Sequence, residues 1–356
     1  MLTRLAHWFD GQLHAEDRLT LFPALVWPEG NGWKWTLRGT VFRPAARPIV
    51  SYFFRRALGL DGLKLSPEEA ALFRQRSAPF LADRERGKSL HLRVGGTEFH
   101  FDPTAPHGHF HGTFPVNPSS LIQEDRCPER RTFDLMVRLG TQRLEKELSV
   151  PVHFLDGTGL DIITDVDDTI KVTNVRDKSE AARNTFLRPF QPVAGLAGRL
   201  AGWAAAHQSQ VHYITGSPWQ LYGALEEFAR VQGFPSGTWA MQVFRIKDRT
   251  ALHLIRKPEI HKRAALQTLL ARATQRRFVC VGDSGERDPE IYGDIAREFP
   301  GRIHRIFIRD VTGDPGSCPR YATAFAGLDP DTIQVFRDAT ELPALLCPED
   351  APRLVG

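Results

Sequence analysis

Over the first 155 residues, apolar and polar positions repeatedly alternate with the period of a half-buried strand. Trp33, Trp35, Leu37, Gly39 and Val41 alternate with polar neighbours in WKWTLRGTVFRP, so one face is meant for a core. The same period runs through Leu90 to Asp102, where Gly95 and Gly96 supply the positive φ of a two-residue hairpin turn. Further strands are predicted at 109–114, 132–139 and 147–154, and a short helix followed by the extended LFPALVWPEG at the start. Helices are predicted at 48–58 and 66–81, the second opening on Ser66 as N-cap, Pro67 in the first turn and Glu68 and Glu69 at the positive end of the dipole. Strands without helix-strand alternation predict a mainly antiparallel β-sandwich domain over residues 1–155, with inserted helices and no catalytic motif.

From Leu160 the alternation gives way to short apolar runs separated by amphipathic stretches. Strands are expected at 160–165, 210–215, 239–244, 277–282 and 303–308, with 333–336 as an edge. Helices at 192–206, 218–231, 258–273 and 288–298 fill the gaps, and another is expected at 340–346. Strand-helix alternation predicts a parallel sheet covered on both faces, so residues 156–356 read as a Rossmann-like α/β domain.

Composition narrows the class. A chain of 356 residues suits two domains, and 42% hydrophobic with 25% charged residues is ordinary for globular ones. No apolar run reaches the ~20 residues that span a bilayer, and the start has no signal-peptide core, so the cytoplasm is the default location. A net charge of +4 suits an anionic substrate or a membrane surface, and nothing in the sequence calls for nucleic acid. The four cysteines, Cys127, Cys280, Cys318 and Cys347, lack the paired spacing of a zinc site. His107, His109 and His111 would share one strand face, but without a fourth ligand the spacing describes an exposed strand more readily than a metal centre.

Chemistry concentrates where the apolar runs of the second half end. LDIITDVDDTIKVT places Asp165, Asp167 and Asp168 directly after a buried strand, where they repel one another unless a hard cation such as Mg²⁺ neutralises them. QVHYITGSPWQLY ends a second strand at Thr215, a hydroxyl donor. Gly216 there allows close backbone approach, and Ser217 and Pro218 open a helix whose free N–H groups favour a phosphate. PEIHKRAALQTLL offers Lys262 to offset phosphate charge, with Lys257 in reserve. RRFVCVGDSGERDPEIY then presents Asp283 and Asp288 at a strand end and the following helix start, a pair able to complete a magnesium shell.

Asp165-x-Asp167-x-Thr169 after a strand resembles the first motif of the haloacid dehalogenase superfamily, and the other three pieces follow in that superfamily's order. Between the first two, 171–189 leaves room for a small flap and none for a large cap. DVDDTIKVT, HYITGSPWQLY, FPSG, IHKRAALQTLL and VGDSGERDPEIY together resemble, over about 155–312, the phosphatidate phosphatase family typified by the yeast actin-patch protein, with its lipin-like catalytic region. ITGSPW stands where eukaryotic relatives carry a Ser-Asn-Ser-Pro-Trp form, and a long proline-rich tail is not seen.

The resemblance implies a Mg²⁺-dependent phosphatase that converts phosphatidate to diacylglycerol through an aspartyl-phosphate. Carried over, Asp165 is the nucleophile, Asp167 the general acid and base, and Thr215, Gly216, Ser217 and Lys262 the phosphate site. Asp165, Asp283, Asp288 and the backbone carbonyl of Asp167 would hold the metal. Two other readings remain: a phosphatase of a soluble phosphomonoester, and a lipid-binding module without catalysis. For a peripheral membrane surface, the candidates are Trp203, Trp219 and Trp239 with Lys171, Arg176, Lys178, Arg183 and Arg188.

Overall fold

The computed structural model describes residues 11–121, 131–243, 258–316 and 318–346. The chain forms two compact units, Met1–Ser51 with Ser77–Asp156, and Tyr52–Arg76 with Gly157–Gly356.

In the first unit, β1 (Arg18–Glu29) and β2 (Gly32–Arg43) form a long antiparallel hairpin. The register slips by one residue between Phe22 and Leu25, at Pro23. Proline has no N–H to give a ladder, so a bulge is where a strand tolerates it. Beyond the bulge, Ala24–Val26 pair in parallel with Val152–Phe154 of β8 (Leu144–Phe154). With β3 (Asp83–Arg84), β4 (His91–Val94), β5 (Thr97–His100), β6 (His109–Val116) and β7 (Thr132–Thr141), the order is β3-β2-β1-β8-β7-β4-β5, and β6 also pairs with β2. Gly95 and Gly96, at φ of 51° and 84°, make the β4–β5 turn expected from the sequence.

The expected sandwich is replaced by one hydrogen-bonded sheet. Its far strands meet across the core, since Phe99 on β5 packs on Trp35 of β2 and Phe114 of β6 at 5.2 and 5.1 Å. Alternation reports that one face is buried; a second sheet and a sheet curled on itself satisfy it equally. The histidine triplet makes no metal cluster among the described residues. His107 precedes the strand, and burial beside His107 and Arg84 holds the His109 imidazole down at about 4.

The second unit is a six-stranded parallel sheet: β9 (Gly159–Thr164), β12 (Val211–Pro218), β13 (Gly237–Gln242), β14 (Arg276–Asp283), β15 (Ile303–Arg309) and β16 (Ile333–Phe336). The order β13-β12-β9-β14-β15-β16 makes the chain build outward from β9 on one side and then cross to β14 on the other. Such a reversal opens a crevice at the carboxyl ends of the strands either side of it. The helices Leu196–His207, Tyr222–Val231, Pro258–Arg272 and Asp288–Glu298 occupy the predicted gaps. At the opposite strand ends, Arg276 grips Asp161 at 2.8 and 2.7 Å and ties β14 to β9. The helix expected at 340–346 is a single turn, Ala339–Glu341, with a capping box from Asp338. Pro343 lacks the N–H to continue it. The expected start helix falls largely on residues 1–10, and Lys257, Cys127 and Cys347 also lie outside the described residues.

After β9 the chain makes a flap. β10 (Lys171–Val172) and β11 (Gln191–Pro192) pair as a two-stranded ladder with the helix Lys178–Phe186 between them. Asp177 caps that helix through the Ser179 and Glu180 amides. Arg76 closes the other end by donating to the carbonyls of Thr185 and Arg188 at 2.8 and 2.6 Å. Its guanidinium also lies 3.7 Å from the Phe190 ring centroid.

Candidate active site

Asp165 follows the last residue of β9, and its amide donates to the Val281 carbonyl of β14. That bond fixes the carboxylate between the two strands that flank the reversal. Asp283, the last residue of β14, and Asp288, the first of the next helix, face it from the other side. Carboxylate oxygens of Asp165, Asp283 and Asp288 lie within 4.8 Å of one another, and all three residues are buried. The close approach of Asp288 to the end of β14 needs Gly282, the residue before Asp283. A Cβ there would stand 2.6 Å from Asp288 Oδ2 and 2.7 Å from the Tyr292 ring.

Lys262, on the helix Pro258–Arg272, reaches into this cluster. Its ammonium is 2.8 Å from Asp165 Oδ1, 2.7 Å from Asp288 Oδ1 and 2.7 Å from Glu286 Oε2. Burial lowers its pKa, but Asp165, Asp288 and Glu286 raise it well above the ordinary lysine value, so it stays charged. Three carboxylates thus pair with one ammonium, and a fourth, Asp283, lies beside two of them. Burial first, then the neighbouring acids, push the Asp165 and Asp283 carboxyls well above the usual range, with Lys262 opposing. Asp283 Oδ1 accepts from the Gly285 and Glu286 amides at 2.6 and 3.2 Å. Its Oδ2 is buried without a hydrogen-bond partner. Clustered hard oxygen donors, excess negative charge and an orphaned carboxylate oxygen fit a divalent cation such as Mg²⁺.

Asp167 sits in different company. Oδ1 accepts from Thr173 Oγ1 at 2.7 Å and lies 2.8 Å from the Lys171 ammonium. Oδ2 accepts from Thr215 Oγ1 at 3.1 Å and Ser217 Oγ at 2.8 Å. Burial raises its pKa, but the Lys171 charge and the donated hydrogen bonds outweigh burial and hold it at about 2. Its carboxylate therefore stands apart from the acid cluster, ionised and aimed at the Thr215–Ser217 turn. Gly216 at that turn faces Pro258, whose Cβ would be 2.9 Å from an added Cβ.

The third acid of the DVDD run serves the backbone. Asp168, at φ 58°, accepts the amides of Thr173, Asn174 and Val175, each at 2.7 Å, and so fixes the start of the flap. A left-handed non-glycine residue costs strain that these local bonds offset.

Sequence reasoning missed Lys171, Thr173 and Glu286 as site residues. Lys171 was a membrane-docking candidate, and the structure corrects this: it is 1% exposed and paired with Asp167. Its signal was available as the fourth residue after Asp167 in DVDDTIK. The tryptophans are corrected likewise. Trp203 stacks on Phe307 at 5.2 Å, Trp239 on Tyr213 at 4.4 Å, and Trp219 is buried. Arg183 and Arg188 bind Glu180, leaving Arg176 and Lys178 exposed on the flap.

Fold and site together define an α/β domain with a buried carboxylate-lysine centre at the carboxyl ends of a parallel sheet. Residues 160–310 match the family described as phosphatidate phosphatase APP1, catalytic domain. The chain is 32% identical over 198 residues to uncharacterized protein C29B5.04c of Schizosaccharomyces pombe, covering 54% of this chain and 32% of the relative. It is 26% identical over 175 residues to phosphatidate phosphatase APP1 of Saccharomyces cerevisiae, covering 48% and 29%. The matches thus span about a third of the length of these relatives. No helix among the described residues is long and apolar enough to cross a membrane.

Proposed function

We propose that the chain is a Mg²⁺-dependent phosphatidate phosphatase of the haloacid dehalogenase type, releasing phosphate and diacylglycerol through an aspartyl-phosphate on Asp165. The observation that carries this reading is the convergence of Asp165, Asp283 and Asp288 around Lys262 in a buried setting, with a separately held acid, Asp167, beside it. The APP1 catalytic-domain match supports phosphatidate as the substrate in this reading. In this reading residues 156–356 are the phosphatase domain and 1–155 an accessory one, with Tyr52–Arg76 packing with the former.

Asp165, Asp283 and Asp288 would hold Mg²⁺, which supplies charge neutralisation at the phosphoryl oxygens. The phosphate lies against the Thr215–Ser217 turn with Lys262 offsetting its charge. Asp165 attacks phosphorus, forming the acyl-phosphate bond as the ester P–O bond breaks. Asp167 gives its proton to the departing alkoxide, which leaves as diacylglycerol. Water then attacks the aspartyl-phosphate, Asp167 takes its proton, and phosphate leaves with Asp165 restored.

Asp167 begins this cycle ionised, at about 2, so it must gain a proton first. Incoming phosphate oxygens compete for the Thr215 and Ser217 hydroxyls. Losing those donors raises the Asp167 carboxyl, which couples its protonation to substrate binding.

The test is phosphate release from phosphatidate in mixed micelles, with Mg²⁺ and with EDTA, beside a soluble aryl phosphate. Magnesium-dependent release favouring phosphatidate is expected. Release from the aryl ester alone would keep the chemistry and discard the lipid, and release from neither would leave a lipid-binding module.

A further inference from the structure

Among the exposed large apolar residues of the described chain, four belong to one helix, Pro48–Ala57: Ile49 at 72%, Val50 at 39%, Tyr52 at 55% and Phe53 at 58% exposure. Scattered exposed apolar residues need no account, but two aromatic and two β-branched side chains within five positions of one short helix make a patch. Basic residues flank it. Arg47 precedes the helix, paired with Asp83, and Arg56 in its last turn is exposed. No acidic residue occurs in the helix.

The helix is also anchored, through Phe54 beside the patch. Phe54 is buried and meets Phe186, the last residue of the flap helix, edge to face at 5.6 Å and 84°. Phe73 joins them, 6.4 Å from Phe54 and 6.3 Å from Phe186. The flap in turn begins at the Asp168-held turn and carries Lys171 and Thr173, both bound to Asp167. The helix Pro48–Ala57 thus packs through Phe54 on the flap that also supplies two partners of the proposed acid-base residue.

We infer that the helix Pro48–Ala57 is an interfacial anchor, laying Ile49, Val50, Tyr52 and Phe53 into the headgroup region of an anionic bilayer and fixing the flap beside it. The inference rests on the phosphatidate reading for its substrate. Charge complementarity selects this occupant: a basic helix with no acid fits a surface of phosphomonoester headgroups, and an aromatic, aliphatic and arginine mixture is the composition that seats at that depth. The geometry also differs from the expectation that the tryptophans and Lys171 dock, because those side chains are in the core or in the site.

The experiment compares the full chain with the double variant Y52S/F53S, which changes two exposed side chains and spares every residue of the site. Vesicles of phosphatidylcholine with and without phosphatidate are sedimented, and hydrolysis is followed on vesicle phosphatidate and on a soluble aryl phosphate. Wild type should bind phosphatidate vesicles and the variant about tenfold or more weaker, the loss of two buried aromatic contacts. The variant's apparent KM for vesicle phosphatidate should rise by a similar factor, about tenfold, with aryl phosphate turnover unchanged. R56E should weaken binding to phosphatidate vesicles and leave neutral vesicles unaffected. Equal vesicle binding by wild type and Y52S/F53S overturns the inference. So does a wild type that binds no vesicle but self-associates through this face, as a loss of dimer in the variant would reveal. If vesicles are bound through the helix and phosphatidate is not hydrolysed, the anchor stands and the substrate reading falls.

Discussion

Asp167 receives donors from four side chains drawn from the start of the flap and the end of β12, and that arrangement makes its behaviour testable one residue at a time. Its pKa is depressed from the ordinary carboxylate value to about 2, with Lys171 the largest favourable cause. A depressed carboxyl contributes stability that is present above its unfolded pKa of about 3.9 and is lost as pH falls through the folded value. The contribution is on the order of 2 kcal/mol, so unfolding stability should drop between about pH 4 and pH 2 by that amount more in wild type than in Asp167→Asn. Paired chemical denaturation series at several pH values measure it. Lys171→Met removes the opposing charge and, because Asp167 must be protonated to act on the leaving group, should shift the alkaline limb of the kcat/KM profile upward by about one unit. An unmoved limb would mean that Lys171 does not set the acid. Asp165→Asn should abolish turnover while keeping the fold, checked by phosphate release beside the thermal midpoint. Gly282→Ala would destabilise by steric contact with Asp288 and Tyr292 even in the absence of substrate.

At the scale of elements, the flap is the structure most dependent on one side chain. Asp168 satisfies three consecutive amides at its start. Asp168→Ala should cost about 2–3 kcal/mol through the unsatisfied amides and strain. Hydrogen exchange at Thr173, Asn174 and Val175 should speed up selectively, and uniform change over the sheet would contradict the local account. The parallel strands were legible because buried β-branched runs and strand-ending acids carry strong local signals, as β9 and β14 illustrate. The hairpin at Gly95–Gly96 was legible for the same reason. Less local features were not. The curled sheet depends on which far strand meets Trp35, and the burial of Trp203 depends on Phe307, neither of which leaves a mark in nearby sequence. Lys171 looked like a surface lysine because charge alone does not reveal a buried partner. Thr340 to Leu346 kept a helical pattern that Pro343 interrupts.

At the scale of the whole molecule, the acid cluster links metal, pH and stability. Asp165 and Asp283 have folded pKa values raised above their unfolded ones, the reverse of Asp167. Such groups favour the folded state at low pH and cost stability as pH rises through the window between the unfolded and the raised value. Mg²⁺ binding requires the charged carboxylates and relieves their repulsion. The rise in thermal midpoint on adding Mg²⁺ should therefore grow as pH rises above the ordinary carboxylate range; a rise that is the same at every pH would argue against metal at these carboxylates. The central claim is that Asp165 takes the phosphoryl group from phosphatidate. The most direct measurement incubates the protein and Mg²⁺ with phosphatidate labelled in its phosphate, quenches with acid within one turnover, and maps the labelled peptide. Label on Asp165, absent from Asp165→Asn and from samples with EDTA, is the predicted result. Phosphate released with no label at any time on Asp165, or label on another residue, would contradict the account.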